Sequence, residues 1–302
     1  MMASASVLAA APGRRPPWWP IWLAATRDPG VWVGAGMFTG VVLLAALAPL
    51  LAPMDPGAQD IVHRLLPPMS AAAGHRFWLG TDQLGRDLLS RIIFGSRISL
   101  LVGLSAVAIS ALVGTAIGVA SGYAGRGWDD LLMRITDVQL AFPSILLSLA
   151  IVAMLGAGVR NLIAVLALSG WVGYARVTRS RVLGIRRLEY IDAARTMGAR
   201  DGRIVVRHVV PNVVPSVVTI ASFSLGGMIT SEAALTFLGL GIPSNIPSWG
   251  GMLTDGAQYL SVAWWLATFP GAAIMLTVLA TNLIGDWLRD VLDPRAESGA
   301  AR

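Results

Sequence analysis

Along this chain, long apolar stretches alternate with short polar ones. No charged residue falls between Asp28 and Asp55. About 20 to 25 residues centred on 31–51 are therefore able to cross a ~30 Å hydrocarbon core as a helix, and Pro49 and Pro53 end that span. Further apolar stretches predict spans over about 98–123, 138–157, 161–175, 213–235 and 263–285. The fold class that follows is all-α integral membrane, with six transmembrane helices.

The strongest contrast to this pattern is the polar run 189–212. Nine arginines lie between Arg176 and Arg207, at 176, 179, 181, 186, 187, 195, 200, 203 and 207. Charge at that density cannot sit in hydrocarbon, where each group costs several kcal/mol. Short loops rich in arginine stay on the cytoplasmic side, which places this loop inside, both termini cytoplasmic, and 17 of the arginines inside against 6 outside. The 15-residue stretch 161–175 is short for a span, but without it the arginine-rich loop would fall outside. Within the loop, Leu188, Ile191, Ala194 and Met197 recur every three residues and predict one face of a short helix. Gly198 follows as its stop, Asp201-Gly202 reads as a turn, and Pro211 opens the next span.

The remaining segments take their places around this loop. Residues 1–28 form an inner or interfacial segment, with Trp18, Trp19 and Trp22 suited to the headgroup level and 1–13 read as a disordered tail. Residues 29–54 hold the first span, 55–97 an extracytoplasmic segment, 98–288 a core of five spans with the loop 186–212, and 289–302 a cytoplasmic tail. In the outer segment Asp87 and Arg91 are spaced to pair across one helical turn. Ala106, Ser110, Gly114, Gly118 and Gly122 recur every four residues, a stripe that lets helices approach closely; Gly114, Gly118 and Gly122 are assigned to helix packing. Residues from Arg126 to Arg134 read as an inner loop, and 156–161 as a tight outer turn. Pro215 and Gly226-Gly227 predict a kinked fifth span. Near its outer end, Glu232 has two readings: a pathway or gate residue, as acids at membrane depth suggest, or an interfacial glutamate bonded to Ser231, Thr236 or the following loop. That Gly- and Pro-rich loop reads as irregular backbone packed on protein. Trp264 and Trp265 read as outer anchors of the last span.

Composition narrows the chemistry. The chain has 302 residues, 55% hydrophobic and 13% charged, with mean hydropathy +0.66. Its net charge of +6 comes from 23 arginines without a lysine, a topology signal rather than one for nucleic acid. Lacking cysteine, it has no thiol nucleophile and no thiolate metal site. A standard P-loop needs its lysine, so this chain cannot carry one, and any ATP would have to be hydrolysed by a partner. His63, His75 and His208 are scattered, which gives no metal-ligand spacing. No catalytic constellation is visible, and the acids lie at span ends rather than midspan as an ion-coupled carrier would need.

Asp192-Ala193-Ala194, then Gly198 and Pro211, resembles the EAA loop of ABC importer permeases, with Asp192 in place of glutamate and with His208 and Val210 at broadly apolar motif positions. The run GTDQLGRDLLSRIIFGSRISL at 80–100, together with TFLGLG and PSWGGML, resembles the C-type permease of dipeptide/oligopeptide importers. That resemblance spans about 82–294. It implies a type I ABC importer permease fold in a bacterial inner membrane. It implies a homologous second permease, two ABC ATPases carrying ATP and Mg, and an extracytoplasmic binding protein as partners, with no cofactor bound by this chain itself. Glu189, Asp192, Ala193, Ala194, Gly198 and Arg207 would form the helix that docks on an ATPase, with Pro211 orienting the span that follows. A nickel-complex importer of the same family, and a stand-alone carrier or channel, are the alternatives.

Overall fold

A computed structural model describes residues 28–292 and is mostly helical. The tail 1–13, the Trp18, Trp19 and Trp22 segment, and residues 293–302 of the C-terminal tail lie outside the described residues. Helix α1, Pro29–Ala46, begins where Asp28 caps it, the Asp28 carboxylate accepting from the Gly30 N–H at 2.8 Å. Pro29 occupies the first turn, where a missing N–H costs nothing. One further turn, Ala48–Leu51, follows. The outer segment folds into a small hairpin of β1, Ser70–Ala72, and β2, His75–Phe77, with Ser70 opposite Phe77. Ala73 and Gly74 both take positive φ, 51° and 76°, as a two-residue hairpin turn of matching twist requires.

Helix α2, Leu88–Ala124, starts well before position 98. Its first turn is fixed by Asp87, which accepts from the Ser90 N–H at 2.8 Å and the Ser90 hydroxyl at 2.6 Å. Asp87 is therefore a cap and does not pair with Arg91, which faces Asp82 and Asp255 instead. The expected inner loop 126–134 is helical: α3, Arg126–Leu140, precedes α4, Ser144–Leu155. The two are bent by 87° where Pro143, without an N–H and hostile to helix at the residue before it, interrupts the chain. The expected span 138–157 is thus split. Helix α5, Val159–Ile185, runs past the apolar stretch and carries Arg176, Arg179 and Arg181 toward its C-terminal end.

Helix α6, Glu189–Thr196, is followed by α7, Asp201–Phe237. Asp201 and Gly202 form the first turn of α7 rather than a loop turn, with Asp201 at the positive end of the helix dipole. Val205–Val209 is a π turn in which the Val210 N–H reaches the Val205 carbonyl. Pro211 cannot bond the Arg207 carbonyl and its ring would crowd it; the wider turn relieves that clash. The expected irregular loop after α7 contains α8, Trp249–Ala257, capped by Ser248. Helix α9, Trp265–Leu292, closes the bundle. Trp264 is half exposed, but Trp265 is buried, its Nε1–H donating to the Thr81 carbonyl at 3.3 Å. Trp265 therefore pins the outer segment and is no headgroup anchor.

Helices α1, α2, α7 and α9 are long and apolar enough to cross a membrane, and the bent α3–α4 pair makes a fifth candidate. Helix α5 is about 40 Å long at 1.5 Å per residue but carries four arginines. It makes the most extensive helix contact in the molecule, with α2. A Cβ at Gly114 would lie 2.3 Å from the Trp171 carbonyl, and one at Gly118 2.5 Å from that of Ala175. At Gly122 it would lie 2.8 Å from the Val182 Cβ. Only hydrogen fits at these positions, so the stripe sets the distance between the two backbones.

Candidate functional site

At the end of the bundle where α2 stops and α7 starts, α6 rests on a small apolar core built from four elements. Ile191 and Ala194 are buried against Val119 of α2, Val182 and Ile185 of α5, and Ile204, Val209 and Val213 of α7. Residues spaced three apart share a helix face, and here that face is two residues wide. Leu188 and Met197, expected on the same face, are exposed at 46% and 82%.

The helix stops as glycine dictates. Gly198 takes φ 81°, its N–H bonds the Arg195 carbonyl at 2.9 Å, and the Ala199 N–H reaches back to the Ala194 carbonyl at 3.0 Å. These two bonds satisfy carbonyls that the helix end would leave open. Nothing lies within 4 Å of a Cβ built on Gly198, so its requirement is conformational rather than spatial.

Polar tethers complete the mount. The Tyr123 hydroxyl at the end of α2 donates to Asp201 at 2.6 Å, and the Arg195 guanidinium sits 5.7 Å from the Tyr123 ring centre. Arg186 donates to the Tyr123 carbonyl at 3.1 Å. Asp129 of α3 accepts two bonds from Arg179, at 2.6 and 2.7 Å, and one from the Ser121 hydroxyl. The Arg179 guanidinium, aided by Ser121, holds the Asp129 carboxyl below the ordinary carboxylate range, against the opposing effect of burial. Sequence reasoning missed Tyr123 and Asp129 as partners here. They lie far from α6 along the chain, and a lone Tyr after an apolar span carries no pairing signal.

The residues expected to act together fall into two groups. Glu189, Asp192, Ala193 and Gly198 are exposed on or just beyond α6, while Ala194 faces the core. Arg207 and Pro211 are exposed on the first turns of α7. Asp192 pairs with Arg195 at 3.3 Å, and Tyr190 leans on His208 with ring centres 5.9 Å apart, which ties α6 to the π turn.

Glu232 is fully buried, and Thr236, named as a partner in its structural reading, is bonded to it. Its carboxylate accepts from Thr236 at 3.1 Å and from Ser99 of α2 at 3.3 Å, while Ser99 accepts from the Trp249 N–H at 3.4 Å. This chain of bonds joins α7, α2 and α8. Close by, α4, α5 and α7 enclose a cavity of about 270 Å³ lined by Ser144, Ser148, Ser169, Ser224 and Ser231 among apolar groups, with no charged side chain. Glu232 is not part of its lining. Among the described residues, no three His, Asp or Glu side chains converge to hold a metal ion.

Residues 114–298 match the family described as binding-protein-dependent transport system inner membrane component, and 16–68 match the N-terminal TM domain of oligopeptide transport permease C. A dipeptide transport system permease protein of Alkalihalophilus pseudofirmus is 43% identical over 88% of this chain and 86% of its own length. A di/tripeptide transport system permease protein of Pseudomonas aeruginosa is 41% identical over 92% of each chain. A glutathione transport system permease protein of Pectobacterium atrosepticum is 43% identical over 94% of this chain and 93% of its own length. Among solved structures, an inward-facing MetNI methionine ABC transporter aligns over 67% of this chain and 96% of its own, with TM-score 0.53 at 18% identity. That likeness concerns the fold.

Proposed function

The chain belongs to the family of binding-protein-dependent transport system inner membrane components, and we propose that it is the permease subunit of an ATP-driven importer of short peptides. In this reading it forms half of the translocation pathway, beside a homologous second permease. Two ABC ATPases, which carry ATP and Mg, dock on its inner surface, and an extracytoplasmic binding protein delivers substrate. Six spans, counting α4 alone as the third and α5 as the fourth, leave both termini cytoplasmic. Three relatives named for dipeptide, di/tripeptide and glutathione transport favour peptides as the substrate class.

The observation that carries the reading is the mount of α6. A short helix with an exposed acidic and small-residue surface is seated on the inner ends of α2, α5 and α7. Movement of a docked ATPase would be passed to three spans at once, the rigid-body transmission that alternating access needs. Glu189, Asp192, Ala193 and Gly198 form the docking surface, Arg207 its basic flank, and Ala194 the anchor. The hydroxyl-lined cavity suits a conduit that passes varied side chains, since it offers weak neutral contacts rather than a fixed charge.

Affinity purification of the tagged chain from its native membrane in mild detergent, with mass spectrometry of what accompanies it, tests this. The expected result is recovery of a second permease and P-loop ATPases. Recovery of the chain alone, with uptake activity in liposomes, would replace the proposal with a stand-alone carrier.

A further inference from the structure

Helix α3 has three distinct faces. At about 100° per residue, Asp129, Leu132, Met133, Thr136 and Gln139 fall on one side and face the protein, with Thr136 buried. Asp129 is bonded to Arg179 of α5, and Gln139 joins the Trp171 indole N–H at 2.9 Å and donates to the Leu168 carbonyl at 2.6 Å. A second face, about 120° around, holds Gly127, Asp130, Arg134 and Asp137, all exposed. The third holds Trp128, Leu131, Ile135 and Val138, exposed at 66%, 51%, 49% and 63%.

An apolar stripe this open on one side and this polar on the next does not suit a helix in water or one across a bilayer. Its axis supplies the alternative. Helix α3 turns by 87° from α4, so where α4 runs along the bilayer normal, α3 runs in the bilayer plane. Past the bend, Phe142 and Leu146, exposed at 57% and 61%, extend the run of exposed apolar residues onto the start of α4. Arg134 beside the stripe has its charge free for lipid phosphate, with no ion partner among the described residues. Trp128 is the amphipathic aromatic that such boundaries favour.

We infer that α3 is an in-plane membrane-surface helix whose Trp128, Leu131, Ile135 and Val138 face enters the headgroup–acyl boundary, with the lipid monolayer as its partner. Because α3 is bonded to α5 through Asp129, and α5 carries part of the seat of α6, lipid contact at α3 steadies the same end of the bundle. Only the identity of the leaflet, cytoplasmic, rests on the orientation given under Proposed function.

The chain has no cysteine, so single cysteines can be introduced without background from it. Nitroxide labels on Leu131→Cys, Ile135→Cys, Val138→Cys, Asp130→Cys and Arg134→Cys would be read in the intact importer complex, reconstituted in vesicles containing phosphatidylglycerol. The first three should collide with oxygen and be protected from a water-soluble nickel chelate, with an oxygen-to-nickel ratio severalfold above the last two. Equal nickel access at all five positions would overturn the inference in favour of an aqueous face. Immobile labels at Leu131→Cys and Ile135→Cys, reached by neither reagent, would overturn it in favour of a protein neighbour. A membrane-impermeant maleimide applied to Asp130→Cys in right-side-out vesicles separately reports the leaflet, so an error in orientation is distinguishable from an error about lipid.

Discussion

At the end of the molecule proposed to be outer, Asp82, Arg86, Arg91 and Asp255 are packed together largely out of solvent, whereas at the proposed inner end the same residue types are spread over the surface. In the outer group, Asp82 accepts from Arg86 at 2.6 Å and lies 3.5 Å from Arg91. Asp255 of α8 faces both guanidiniums, at 3.5 and 3.7 Å. The four charges clamp the loop before α2 onto α8. At the inner end, the Arg176–Asp137 and Arg195–Asp192 pairs are solvent-exposed. Arg181, Arg187, Arg200, Arg203 and Arg207 are exposed and make no ion pair among the described residues. Buried, an arginine is a structural part whose charge is cancelled on the spot. Exposed and unpaired, it remains available to a partner and to the membrane potential.

Breaking one end should cost far more than breaking the other. Arg91→Leu leaves Asp82 and Asp255 in a buried site with a single guanidinium. The expected loss is about 3–5 kcal/mol, the range for a buried pair deprived of one partner, read as a large drop in the melting temperature of the detergent-purified chain. An unchanged melting temperature would mean that solvent reaches this cluster. Next in size is Ala194→Trp, which forces a large ring into the seat of α6. Overpacking of this kind costs about 1–3 kcal/mol, and limited proteolysis at 186–200 should accelerate with it; resistance equal to wild type would show that the seat is loose.

Smaller still is Asp129→Asn. The pair with Arg179 is partly exposed, at 15% and 33% of the two side chains, so about 1 kcal/mol or less is at stake. The Asp129 carboxyl is lowered when folded. Its contribution is therefore full above the unfolded value of about 3.9 and lost as pH falls through the lower folded value. Melting curves of wild type and Asp129→Asn should differ at pH 6 and converge as the pH falls below about 3.9. A difference that persists in strong acid would assign the role to another group. The smallest change is Arg203→Ala, expected within about 0.5 kcal/mol of wild type, as for surface residues without partners. If α6 and its flank receive an ATPase, the same variant weakens co-purification in a salt-dependent way.

Much of this was legible because hydrophobic length and arginine density are local signals. The spans over 31–51, 213–235 and 263–285, the short helix after Leu188 and the stop at Gly198 all follow from residues near one another. Burial of the outer charges was not legible. Arg91 finds Asp255 only once α2 and α8 pack, and the spacing from Asp87 to Arg91 suggested a pair that capping of Ser90 pre-empted. The break at Pro143 was visible as a residue but not as an 87° turn, because nothing local says whether the halves continue in line. For Glu232 the bond to Thr236 was legible from the spacing of four residues, whereas the bond to Ser99 appears only once α2 and α7 pack.

The most direct test of the central claim uses the contrast within α6 between exposed Ala193 and buried Ala194. Ala193→Trp adds bulk to the proposed docking surface without touching the seat. The reconstituted complex should keep its melting temperature while substrate-stimulated ATP hydrolysis falls about tenfold, a loss of about 1.4 kcal/mol within the usual range of coupling energies. Stimulated hydrolysis at the wild-type rate, with Ala193→Trp stably incorporated, would contradict the account, since force would then reach the spans by a route other than α6.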